Sequence, residues 1–155
     1  MTTAKSVRRR IFSHRATKPV LWAFAMVAAL SASPASAASI LAKVDISDQR
    51  MEVYVDGIRY FNWAVSTGRS GYQTPVGAYE PQRLEAMWHS RKYNWAPMPS
   101  SIFFHGGYAI HGTDAIADLG QPASHGCVRL HPDNAAMLFE LVRAHVEDTE
   151  IIVTE

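Results

Sequence analysis

Apolar and polar positions alternate through the stretch that opens near residue 40. Ile40, Ala42, Val44 and Ile46 are separated by Leu41, Lys43 and Asp45, and Met51, Val53 and Val55 by Glu52 and Tyr54. A period of two marks a strand with one buried face. Ser47 to Arg50 supplies one turn. Asp56-Gly57 supplies the next, a pair suited to the two-residue hairpin whose central positions need positive φ. The return strand runs from Arg59 to Ser66 with Phe61, Trp63 and Val65 on one face, so three strands form a meander. Glycine and proline then punctuate Thr67-Gly68-Arg69-Ser70-Gly71 and Thr74-Pro75-Val76-Gly77, and Ala78 to Gln82 reads as another short strand. From 83 to 100 no regular period is visible, only aromatic and basic residues such as Trp88, His89, Arg91, Lys92, Tyr93 and Trp95. A loop of that length is expected to be a lid or substrate wall, or else a plug for the end of the core.

Ser101–His105 and Tyr108–His111 flank Gly106-Gly107, which has a two-residue hairpin signature. The simplest register pairs His105 with Tyr108, Phe103 with Ile110 and Ile102 with His111. It sends His105 and His111 to opposite sides of the sheet unless a bulge intervenes. The segment to Ser124 reads as a returning loop and Val128-Arg129-Leu130 as a short strand. Pro132 and Asp133 then open a helix, since proline fits the first helical position and acids suit the first turn. Leu138, Phe139, Leu141, Val142 and Val146 fall at helical spacing, and Ile151-Ile152-Val153 closes the chain as a strand. The fold class is mainly β with one clear α-helix near the C-terminus.

The chain of 155 residues suits one core, and its first 37 residues are set apart by composition. Arg8, Arg9, Arg10, Arg15 and Lys18 precede an apolar run from Val20 to Leu30, and Ala35-Ser36-Ala37 resembles a small-residue cleavage site. Residues 1–37 are therefore expected to be a cleaved secretory signal and 38–155 the working domain. The apolar run is shorter than the roughly 20 residues of a permanent membrane anchor. Export to the periplasm or cell envelope is the expected outcome. All 14 acids follow residue 37 while six of the 15 bases precede it, leaving nine bases against 14 acids, a net charge of −5 with histidines neutral. A mildly acidic domain without a basic stripe gives no support to nucleic-acid binding.

Export leaves Cys127, the only cysteine, in an oxidising compartment with no intramolecular partner. Packing, metal ligation and reactivity are the readings open to it. His111, His125 and Arg129 lie within 16 positions and favour reactivity, because imidazole and guanidinium neighbours lower a thiol pKa. His111 is the candidate base. Its ring can be oriented by the Gly112 carbonyl or, less favourably, by Asp114. Gly126 lets the chain turn before the thiol, and the amides of Gly126 and Cys127 are candidates to face an oxyanion.

His111-Gly112-Thr113, followed by Ser124-His125-Gly126-Cys127-Val128-Arg129-Leu130, resembles the signature of the L,D-transpeptidase catalytic domain of bacterial peptidoglycan metabolism. The likeness extends from about Ile40 to Val153 through Val65-Ser66-Thr67-Gly68, Thr74-Pro75-Val76-Gly77 and Met98-Pro99. It implies a β-sandwich-like fold, a cysteine nucleophile, an upstream histidine base and peptidoglycan stem peptides as partners. The implied chemistry is attack on the carbonyl of an L-configured diamino acid, loss of the terminal D-alanine and a thioester on Cys127. An amine resolves that thioester, belonging to another stem peptide, a lipoprotein or outer-membrane protein, or a free D-amino acid. Arg129 is then expected to hold a substrate carboxylate, with His125 and Ser124 shaping the binding site. The reaction needs no cofactor or metal. The family often carries a separate wall-binding module, for which this length leaves no room.

Other readings remain open on the residues. Water in place of the amine gives an L,D-carboxypeptidase. His111, His125 and Cys127 are acceptable zinc ligands, though without close pairs or an evident activating carboxylate. A silent wall-binding module would need neither Cys127 nor His111. Arg129 can instead be a structural ion pair with a helix acid, and His89, His105, His131 and His145 are expected at the surface or in caps.

Overall fold

The computed structural model describes Met1 and residues 39–155, so the segment expected to be a signal lies outside the described residues. Strands β1 (Ile40–Asp45), β2 (Arg50–Val55) and β3 (Ile58–Ala64) form the expected antiparallel meander. Ile40, Ala42, Val44, Met51 and Val53 are all buried, as the alternation requires. Asp56 and Gly57 take φ of 50° and 76°, the geometry of the tight hairpin turn. β4 is short, Gly77–Tyr79. The terminal strand β9 (Thr149–Thr154) enters between β1 and β4, parallel to the first and antiparallel to the second. The first sheet therefore has the order β3-β2-β1-β9-β4.

The second sheet corrects the reading of residues 83–100. They form β5 (Arg83–Ser90), a 3-10 turn at Arg91–Tyr93, and the start of β6 (Ala96–His105), and β5 pairs with β6. Weak alternation hid the hairpin, for β5 has no buried residue on either face. Pro97 and Pro99 also mask the strand, since proline cannot donate to a ladder. They are tolerated because β6 pairs with β5 alone at that end, while its pairing to β7 (Tyr108–Gly112) begins at Ile102. β8 (Val128–Leu130) runs parallel to β7 and completes the order β5-β6-β7-β8.

The β6–β7 register also differs from the simplest one. His105 pairs with Tyr108, but Phe103 pairs with Ala109 and Ile102 with Ile110, so a bulge between Phe103 and His105 takes up one residue. Ile102, Phe104, Ile110, Val128 and Leu130 consequently face the main core, while Phe103 and Ala109 join Met98, Trp88 and Cys127 in a smaller cluster. Helix α1 (Pro132–Ala144) buries Ala135, Leu138, Phe139 and Val142 in that main core with the inner residues of both sheets. Each large apolar side chain buried this way contributes about 2 kcal/mol. His131 caps the helix through Nδ1, which accepts the Asp133 N–H at 3.3 Å. The helix stops at Ala144, and Val146 lies in the 3-10 turn Val146–Asp148. Among the described residues, the result is a mainly β, sandwich-like fold with one α-helix.

Candidate active site

The parallel pairing of β7 and β8 assembles the site. Ile110 lies opposite Val128 and His111 opposite Arg129, so Cys127 stands one residue before the first rung. Successive side chains of a strand alternate in direction, so while Ile110 and Val128 turn into the core, His111 and Arg129 turn the other way. The Ala109 backbone donates to the sulfur. His111, Cys127, Arg129, His125, Trp88, Lys92 and Tyr108 are among the residues lining a cavity of about 720 Å³.

His111 is buried, and its Nδ1 donates to the Gly112 carbonyl at 2.7 Å. A carbonyl can only accept, so Nδ1 carries the proton and Nε2 keeps its lone pair. The orienting partner is thus the Gly112 carbonyl rather than Asp114. Burial pushes the His111 pKa down to about 4, outweighing the upward pull of the Gly112 carbonyl, and the Arg129 charge lowers it further. Gly112 has a steric reason to be glycine. A Cβ there would meet Pro99, Pro132 and Ala135 at 3.1–3.4 Å, where α1 begins against the strand.

Burial also raises the Cys127 thiol above its ordinary range, opposed by the Ala109 backbone and by the charges of Arg129 and Lys92. This corrects the expectation of a lowered thiol pKa, because the neighbouring charges do not compensate for taking sulfur out of water. The resting pair is a neutral thiol and a neutral imidazole.

The turn carrying Cys127 is held by buried hydrogen bonds from a remote loop. Gly126 has φ of 111°, and a Cβ there would lie 2.5 Å from the Tyr108 ring, so the position demands glycine. Thr74 Oγ1 donates to the Gly126 carbonyl and accepts the Gly68 N–H, each at 2.9 Å. Ser66 bridges to Arg129 and Gly68 to Ser124. Ser124 is fully buried. Its Oγ donates to the Cys127 carbonyl at 2.6 Å and accepts the Gly126 N–H at 2.9 Å. Ser124 thus shapes the turn from within while lining the same cavity. One expectation changes: the Gly126 amide is already engaged.

His125 sits between two tyrosines, stacked on Tyr93 at 4.4 Å and edge-on to Tyr72 at 4.6 Å. Arg69 Nη2 donates to its Nε2 at 2.7 Å. Its pKa is lowered by burial first and by Arg69, Arg129 and Lys92 after it. Arg129 meets Asp118 at 3.9 Å, an acid of the 3-10 turn Ile116–Asp118 rather than of α1. Thr74, Arg69 and Tyr72 are site residues that the sequence reading does not single out, whereas Tyr93 lies in the stretch read as a lid or substrate wall and does line the cavity. The motif around Thr74 is visible as turn punctuation and as part of the likeness, but neither reading gives its hydroxyl a role. Among the described residues, no three His, Cys, Asp or Glu side chains cluster as metal ligands, and no helix is long and apolar enough to cross a membrane.

Compared with known families, residues 39–153 match the YkuD model, described as the L,D-transpeptidase catalytic domain. The chain belongs to this family. Solved L,D-transpeptidases share its fold. One from Mycobacterium smegmatis is 25% identical with a TM-score of 0.70, over 76% of this chain and 59% of that one. One from Stackebrandtia nassauensis is 30% identical with a TM-score of 0.66, over 76% and 56%. L,D-transpeptidase 3 from Mycobacterium tuberculosis, in complex with a faropenem-derived adduct, is 22% identical with a TM-score of 0.65, over 76% of this chain and 61% of that one. The matched region spans under two thirds of each of these chains. Comparison with curated protein sequences gave no match.

Proposed function

We propose that this domain is an exported L,D-transpeptidase acting on peptidoglycan stem peptides, with Cys127 as nucleophile and His111 as base. The observation that carries the reading is the buried His111 ring, its Nδ1 tied to the Gly112 carbonyl at 2.7 Å, on the strand beside the one that Cys127 leads into. A neutral imidazole with a fixed tautomer presents Nε2 as a base and holds the proton it takes.

His111 removes the thiol proton as sulfur bonds to the carbonyl carbon of the diamino acid. The oxyanion that forms is met by the Cys127 amide, the remaining member of the pair considered for that role, and such a donor is typically worth about 3 kcal/mol. Collapse breaks the bond to D-alanine, whose nitrogen receives the proton from His111, leaving a thioester. An acceptor amine attacks the thioester and gives a proton to His111. The sulfur leaves and recovers that proton, closing the cycle with one amide exchanged for another. No cofactor or metal enters these steps. Export is supported by the basic residues, apolar run and Ala35-Ser36-Ala37 of the first 37 positions.

The test is incubation of the protein from residue 38 with tetrapeptide muropeptides, read by mass spectrometry. Release of D-alanine with a new cross-link or an exchanged terminal residue supports transpeptidation. Release with a free tripeptide alone identifies a carboxypeptidase, and no release by active-site-intact protein removes the reading.

A further inference from the structure

The cavity over Cys127 carries a charge imbalance that thioester chemistry does not use. Arg83, Arg91, Lys92 and Arg129 line it against a single acid, Asp114. Arg83 is committed elsewhere, ion-paired to Glu85 at 2.8 Å and lying over the Trp88 and Phe103 rings. Arg129 keeps only a long contact with Asp118, at 3.9 Å. Lys92 has no carboxylate partner among the described residues, and its ammonium rests 5.3 Å from the Tyr93 ring centroid.

An exposed lysine on a turn is ordinarily just a solvated charge. The turn that carries this one is held in place. Tyr93, its neighbour, is stacked on His125, whose other side meets Tyr72 and whose Nε2 takes the Arg69 bond. The Trp95 N–H closes the turn onto the Ser90 carbonyl at 2.9 Å, and Asn94 and Trp95 both take left-handed backbone angles, φ 50° and 57°. Lys92 thus sits at a defined place on the cavity wall, near enough for its charge to act on both Cys127 and His125. Arg129 belongs to the edge strand β8, whereas Lys92 comes from the turn leaving the other edge strand, β5. Cys127 thus shares one cavity with cations from both edges of the sheet.

We propose that Lys92 is a specificity-determining residue that binds a second carboxylate of the acyl donor, Arg129 taking the first. The inference rests on the transpeptidase reading and narrows its substrate class. The favoured donor carries a free carboxylate on the diamino residue in addition to the one on the departing D-alanine. Donors whose diamino residue is amidated, or lacks that carboxylate, bind less well. Lysine suits the task as a point charge on a flexible stem that reaches one carboxylate oxygen through one of three donors.

The experiment compares two synthetic tetrapeptide donors, one with the diamino carboxylate free and one with it amidated, in wild type, Lys92→Ala and Lys92→Arg. The expected result is a KM for the free-carboxylate donor raised about tenfold by Lys92→Ala, the size of one charge-assisted contact, with any change of kcat through the thiol common to both donors. The KM of the amidated donor is unaffected and Lys92→Arg restores most of the loss. Added salt weakens the wild-type preference and leaves Lys92→Ala indifferent. Equal KM changes for both donors, or none for either, overturn the role of Lys92 while wild-type turnover keeps the transpeptidase reading. No wild-type turnover of either donor overturns both.

Discussion

His111 Nδ1 lies 2.7 Å from the carbonyl oxygen of Gly112, the next residue in the chain. The contact lets a histidine be oriented without a side-chain acid. It also leaves the buried ring without a countercharge, so the ring stays neutral down to about pH 4. A carboxylate in the same place would stabilise the imidazolium and raise the pKa.

The acid limb of activity follows from that value. The base form of His111 exists above its folded pKa, so kcat/KM for acylation is expected to hold through pH 5 and fall as pH drops through about 4. The raised thiol makes alkylation of Cys127 accelerate only on the alkaline side of the ordinary cysteine range. A pH profile of kcat/KM with iodoacetamide kinetics beside it checks both. An acid limb at 6.5 contradicts the neutral-pair account.

Stability should carry the same signature. The unfolded chain protonates this histidine near 6.5 and the folded chain only near 4, so between those values the unfolded state binds more protons. The contribution is fully present above 6.5 and is lost progressively as pH falls to about 4, amounting to about 3 kcal/mol. Urea unfolding at pH 7 and pH 4.5 should show this loss, and His111→Gln should flatten it.

Thr74 offers a test of the remote loop. Thr74→Val keeps the shape but strands the Gly126 carbonyl and the Gly68 N–H. The expected cost is about 1–3 kcal/mol in thermal or urea unfolding. Acylation should slow more than a stability loss of that size explains, because the same turn positions Cys127, the proposed nucleophile. Unchanged acylation in a folded variant shows that the turn holds its geometry without Thr74.

Much of this was legible in the sequence where one side of an element is dry. The meander is written in the alternation from Ile40 to Val55 and in Asp56-Gly57, and the helix start in Pro132 and Asp133. The spacing of His111, His125 and Cys127 was enough to single them out as candidates, and the fold brings them to one cavity. The β5–β6 hairpin was not legible, since β5 has no fully buried residue on either face and Pro97 and Pro99 mask the strand that follows. Nor was the bulge near Phe104, since no local residue announces which position is left unpaired. Thr74, Arg69 and Tyr72 reach the site from elsewhere in the chain, and tertiary contacts alone give them their roles. The direction of the thiol shift depends on how deeply sulfur is buried, which a list of charged neighbours does not contain.

The most direct measurement is intact-mass analysis of the domain after exposure to a tetrapeptide donor or a carbapenem. The account predicts one covalent adduct per chain, mapped to Cys127, absent from Cys127→Ala and strongly slowed in His111→Ala. An adduct that persists without Cys127, or one that forms at the wild-type rate without His111, contradicts it.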